Sequence, residues 1–153
     1  MSGSSERQFL VEVLRGDLSA VAMCEQLFRI SQVLDDLVDG DKPVPAELII
    51  KSFWEALIAL PANPFYRQHE STIRPLMAAA LQDWTDATRL ERADDHHGKT
   101  IAFVLRDQLT SLVTQVACIV GGYEWMQEVS IHIRRRFHDE TLADYINELE
   151  SKP

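Results

Sequence analysis

Apolar residues recur at steps of three and four along nearly the whole chain, and this spacing predicts α-helices. In the second predicted helix, Asp17 is placed to cap the start and Gly40 to close the end. The apolar positions between these two caps are Val21, Leu27, Ile30, Leu34 and Leu37. No stretch alternates between apolar and polar residues with a period of two, so we predict no β-sheet.

A third helix is predicted from Pro45 to Leu60, because proline is favoured at the first helical position. Its apolar residues fall at helical spacing and predict a stripe that faces the protein core. The members of this predicted buried stripe are Leu48, Ile49, Phe53, Leu57 and Leu60.

Residues that typically start or end helices predict where the later helices lie. Ser71 is suited to cap a helix that carries Pro75 near its first turn. A further helix is predicted over residues 99–120, ended by Gly121 and Gly122. Asp139 is expected to cap the last helix.

These elements predict an all-α fold, a single-domain helical bundle of about six or seven helices over residues 1–153. The connections are short, so we expect neighbouring helices to be mostly antiparallel. The chain has only 6 Gly and 6 Pro, which is too few for a barrel or sandwich with many turns. We expect residues 1–5 to be disordered.

The chain is acidic, with 24 Asp and Glu against 15 Lys and Arg and a formal net charge of -9. Such a charge repels phosphate backbones, so we expect no ordinary nucleic-acid partner. It suits cations, basic partners or mimicry of DNA, and it also favours solubility.

Neither a secretory signal nor a membrane span is predicted, and we expect a cytoplasmic protein. The most apolar segment, residues 101–120, contains Arg106 and Asp107, which indicates a core helix. Cys24 and Cys118 are far apart and belong to no metal-binding motif, so both are expected to be buried free thiols.

Aspartates gather at the end of the second helix, where Asp35, Asp36 and Asp39 precede Gly40. A helix C-terminus is already negative, and each anion there costs about 0.3–1 kcal/mol. Asp35 and Asp39 also repel each other at a spacing of four residues. A positive group is therefore expected opposite this aspartate cluster. Carboxylate oxygens suit Mg²⁺ or Mn²⁺, whereas a solvated helix end near Lys42 or an arginine is the alternative.

The Asp-Asp-x-x-Asp pattern of residues 35–39 resembles the first metal motif of class I isoprenoid synthases. In that family the aspartates hold magnesium ions that bind a diphosphate. All-α nucleotide pyrophosphatases are a second comparison, since they also hold Mg²⁺ with acidic residues on helices. These resemblances imply a Mg²⁺-dependent enzyme that binds a diphosphate or nucleotide.

Three arginines are candidates to pair with a phosphate or with carboxylates: Arg106, Arg134 and Arg135. Arg106 lies one step off the predicted buried stripe of its helix. Arg134 and Arg135 lie in the last turn of another helix, where positive charge is favoured. Ion pairing within the bundle explains all three without a ligand.

Four segments together resemble small helical proteins of tailed bacteriophages and prophages: residues 35–43 (DDLVDGDKP), 60–66 (LPANPFY), 102–107 (AFVLRD) and 137–140 (FHDE). The resemblance implies a bacterial host cytoplasm and supplies no chemistry. From it we expect a helical accessory or interaction protein with a protein partner or a second copy of itself. A metal-dependent enzyme and an acidic decoy that mimics DNA are the alternatives.

Overall fold

The structure, a computed structural model, describes residues 3–40, 42–107 and 109–151. No β-strand occurs among these residues, and the prediction of an all-α protein is confirmed. The chain divides into two compact units, Met1–Ser71 and Thr72–Pro153. The prediction of one domain over residues 1–153 stays a prediction. Of residues 1–5, the first two lie outside the described residues and the chain is helical from Gly3.

The described residues form five helices when the successive helical segments of His96–Ser151 are counted as one. The first four are α1 (Gly3–Val13), α2 (Leu18–Asp39), α3 (residues 46–62) and α4 (Pro64–Glu91). The fifth, His96–Ser151, contains three segments: α5a (His96–Leu105), α5b (Thr110–Phe137) and α5c (Leu142–Ser151).

Five stretches are fewer than the predicted six or seven, because two predicted boundaries do not separate helices. Ser71 lies inside α4, whose break in helical geometry is at His69. Gly122 interrupts α5b with φ 89° and ψ 178°, a conformation open to glycine, but helix continues on both sides. Conversely, the predicted helix over residues 99–120 is divided by a turn between Leu105 and Thr110.

The predicted caps of α2 are confirmed. The backbone N–H of Ala20 donates to the Asp17 carboxylate at 3.0 Å. Gly40 has left-handed φ and ψ angles of 67° and 13°, and its N–H donates to the Asp36 carbonyl at 3.1 Å. The cap predicted at Asp139 is wrong, since α5c begins at Leu142 and the Thr141 hydroxyl accepts from the Asp144 N–H at 3.1 Å.

In the first unit, α2 and α3 form an antiparallel hairpin. At one end the Asn63 amide donates to the Ser19 carbonyl at 3.0 Å. Ten residues further along α2, Arg29 donates to Glu55 of α3 at 2.9 Å. Because the paired positions rise in α2 as they fall in α3, the end of α2 lies beside the start of α3. Arg7 of α1 also pairs with Glu25 of α2.

In the second unit, a small core forms where α5a and α5c pack together. Tyr145 is 1% exposed and joins Ala87 and Ala102 in this core. The Tyr145 ring lies 5.4 Å from the Phe103 ring, and its hydroxyl donates to Glu91 at 2.7 Å. Burial and the bond to Glu91 raise the pKa of Tyr145 well above its usual value.

The two cysteines are free thiols, but only one is buried as predicted. Burial, with a smaller contribution from Glu25, raises the pKa of the Cys24 thiol to about 12. Cys118 is half-buried instead. One stretch of the described chain, His96–Ser151, is long and apolar enough to cross a membrane by length and composition. Core helices of soluble proteins meet the same criteria, and the cytoplasmic location stays a prediction.

Candidate functional site

The aspartate cluster lies at the end of α2, as the sequence predicts. Asp35 and Asp36 are half-buried and Asp39 is exposed. The Asp36 carboxylate accepts from the Gln32 side chain at 3.1 Å. This bond is between neighbours on one helix, so it holds the Asp36 side chain along the surface of α2.

Among the described residues, no group of three or more His, Cys, Asp or Glu side chains is arranged to hold a metal ion. Asp41, which follows the cluster in sequence, lies outside the described residues. The prediction of Mg²⁺ or Mn²⁺ at Asp35, Asp36 and Asp39 therefore stays a prediction that rests on the sequence pattern.

The three candidate arginines all lie in the second unit, whereas the aspartate cluster lies in the first. Arg134 donates to Asp107 at 2.9 Å. Arg106 is 3.7 Å from a Glu140 carboxylate oxygen, and its guanidinium lies 5.1 Å from the centre of the Tyr145 ring. Arg135 is exposed. Ion pairs and a cation–π contact within the unit thus occupy Arg106 and Arg134.

A second surface feature, on α3, was not predicted as a site. Five large apolar side chains of this helix are between 49% and 69% exposed. Their steps of three, one, three and one place them along a single face of the helix. We call this face the apolar stripe; it comprises Ile50, Phe53, Trp54, Leu57 and Ile58.

The predicted buried stripe of α3 is therefore wrong at most of its positions. Phe53 and Leu57 belong to the apolar stripe, and Leu48 is exposed as well. Only Leu60 is fully inside, while Ile49 is half-buried. The remaining half-buried positions of the helix are small, namely Ser52, Ala56 and Ala59.

The orientation of α3 follows from a polar residue that faces inward. Glu55 is only 7% exposed, and both of its carboxylate oxygens accept from Arg29 of α2. A buried carboxylate without a cation would be costly, so this pair fixes which side of α3 faces α2. A π-helical turn, Glu55–Ala59, begins at this residue. The large apolar side chains are consequently turned outward.

An exposed apolar patch on a protein surface often indicates a binding site. Contiguous apolar patches larger than roughly 300–600 Å² are unusual on monomers and mark binding surfaces. Trp and Phe are also the residue types that anchor protein interfaces. The apolar stripe places five exposed apolar side chains on one helix face, with Phe53 and Trp54 among them.

Comparisons with protein-family models, with curated proteins and with solved structures found no match for this chain. The resemblances to phage proteins, to isoprenoid synthases and to pyrophosphatases stay predictions from sequence.

Proposed function

We propose that this chain is an accessory protein that works by binding another protein through the apolar stripe of α3. The observation that carries the proposal is the outward orientation of Phe53, Trp54 and Leu57, each more than 60% exposed. Burying such side chains against a partner gains about 25 cal/mol for every Å² of apolar surface removed from water.

The way α3 is built supports a binding role. Its inward face carries Leu60, small residues and the Glu55–Arg29 pair, whereas both of its aromatic residues face solvent. A helix that only stabilised its own unit would place Trp54 and Leu57 inside. The resemblance to small phage and prophage proteins also fits an accessory role in a bacterial cell.

Site-specific photo-crosslinking tests this proposal. A benzophenone amino acid is introduced at Phe53, and as a control at Ile131, which is 60% exposed in the second unit. Both variants are expressed in cells that naturally carry the gene. We expect a discrete protein adduct from position 53 and none from position 131. The absence of a discrete adduct at position 53 would contradict the proposal.

Serine variants show whether the crosslink at position 53 depends on the apolar stripe. Trp54→Ser together with Leu57→Ser should remove the adduct formed at position 53, because the partner loses its apolar anchor. The matched control is Val104→Ser with Ile131→Ser, which changes exposed apolar residues of the second unit and should leave the adduct intact.

A further inference from the structure

The apolar stripe begins at an end of the hairpin that is rich in carboxylates. Because α2 and α3 are antiparallel, the end of α2 lies beside the start of α3. Among the described residues, the carboxylates at this end are Asp35, Asp36 and Asp39 of α2 and Glu47 of α3. We call this set the acidic end of the hairpin.

The sequence around the acidic end is net negative. Residues 35–51 contain five Asp and Glu residues against two lysines, Lys42 and Lys51. The C-terminus of α2 adds the negative end of its helix dipole to the same region. A surface with an apolar stripe that leads into negative charge is thus presented to a partner.

If the chain binds another protein as proposed above, we propose that the bound segment of this partner is a basic amphipathic helix. Its apolar face would pack against the apolar stripe, and its Lys or Arg residues would face the acidic end. Stripe residues that are three or four positions apart, such as Ile50, Phe53 and Leu57, form a row against which a partner helix packs its own apolar side chains. Charge complementarity then sets the direction in which the partner helix lies.

The same charges disfavour two other occupants. A second copy of this chain would bring two molecules of net charge -9 together. An anionic membrane surface would repel the acidic end as well. A basic helix is attracted where both of these are repelled.

Binding of synthetic helices tests the proposal. One labelled peptide is designed as an amphipathic helix with leucine on one face and lysine on the other. Its matched partner carries glutamate in place of every lysine. We expect the lysine peptide to bind the full chain at least about tenfold more tightly than the glutamate peptide, with the difference shrinking in high salt. Fluorescence anisotropy at low and high salt measures both affinities.

Two sets of variants assign the binding to the hairpin. Phe53→Ser with Trp54→Ser and Leu57→Ser should weaken the lysine peptide by about tenfold or more. Asp35→Asn with Asp36→Asn and Asp39→Asn should weaken it several-fold. The charge-matched control in the second unit is Asp144→Asn, Glu148→Gln and Glu150→Gln, which should change it little. Circular dichroism verifies that each variant is folded.

The outcomes separate this inference from the proposed function. Equal binding of both peptides, lost in the apolar variant, would overturn the basic partner and leave protein binding through the stripe intact. A stripe-dependent dimer in light scattering would make a second copy the occupant and would also overturn it. Lysine-peptide binding that the apolar variant does not weaken would contradict both proposals. Stripe-dependent binding to uncharged phosphatidylcholine vesicles, without binding of either peptide, would also contradict both proposals.

Discussion

The α3 helix and the α5c segment both carry aromatic side chains, but they present them in opposite directions. In α5c the aromatic residue is inside, since Tyr145 is buried beside Phe103 while Asp144 and Glu148 are exposed. In α3 the aromatic residues Phe53 and Trp54 are outside. The two helices also differ in where a charged residue lies, because Glu55 of α3 is buried and accepts a hydrogen bond from Arg29. Helical periodicity therefore defines faces, and a buried ion pair can decide which face is inside.

The largest effect is expected where the aromatic residue faces inward. Tyr145→Ala should lower the free energy of unfolding by about 3–5 kcal/mol, because it leaves a cavity in a packed core. Trp54→Ala should change it by no more than about 0.5 kcal/mol, as for other exposed substitutions. Urea unfolding of both variants tests the contrast, which fails if the two losses are similar.

The ion pair that orients α3 should show an asymmetric response. Arg29→Met leaves the buried Glu55 carboxylate without its cation and should cost about 2–3 kcal/mol. Glu55→Gln leaves a half-exposed arginine that water can solvate, so its cost should be about 1 kcal/mol. Equal losses in urea unfolding would contradict an inward Glu55.

Tyr145 should make the free energy of unfolding depend on pH at alkaline values. The pKa of Tyr145 is raised in the folded state by burial and by the bond to Glu91. The stability that this raised pKa contributes is fully present below the unfolded pKa of about 10. It is lost as the pH rises from there through the higher pKa of the folded state. Tyr145→Phe should cost about 0.5–1.5 kcal/mol at pH 7 and should lack this alkaline loss. An identical alkaline loss in wild type and variant would contradict the assignment.

The aspartate cluster should give the smallest effect, and one of opposite sign. Asp35→Asn with Asp39→Asn removes anions from a helix C-terminus and should raise the free energy of unfolding by about 0.3–1 kcal/mol per residue. Asp144→Asn, near the start of α5c, should not be stabilising. A destabilised aspartate variant would contradict this account of the cluster.

Calorimetric titration with Mg²⁺ and Mn²⁺ tests the metal prediction on the same proteins. Saturable binding by wild type that disappears in the Asp35→Asn and Asp39→Asn variant would support a metal site. It would also contradict the view that the positive partner of the cluster is a basic protein segment.

The sequence predicts the fold class and the ends of α2 well. Asp17 and Gly40 act locally, and each satisfies backbone groups of its own helix whatever the rest of the chain does. Gly122 also acts locally, since it interrupts the helical geometry of α5b, but the helix end predicted there is wrong because helix continues on both sides.

The candidate surface could not be predicted in this way. The α3 helix has apolar residues nearly all round, so Leu48, Phe53 and Leu57 fit an inward stripe as well as an outward one. Glu55 is the signal in the sequence, but its meaning depends on Arg29, which is 26 residues away. A long-range pair of this kind is a tertiary property that periodicity does not contain.

The most direct test of the outward stripe compares two leucines of α3 that are three residues apart. Leu57 is 66% exposed and Leu60 is 2% exposed. We expect Leu60→Ala to lower the free energy of unfolding by about 2–5 kcal/mol. Leu57→Ala should change it by less than about 0.5 kcal/mol. A larger loss at Leu57 than at Leu60 in urea unfolding would show that the stripe faces the core and would contradict the account.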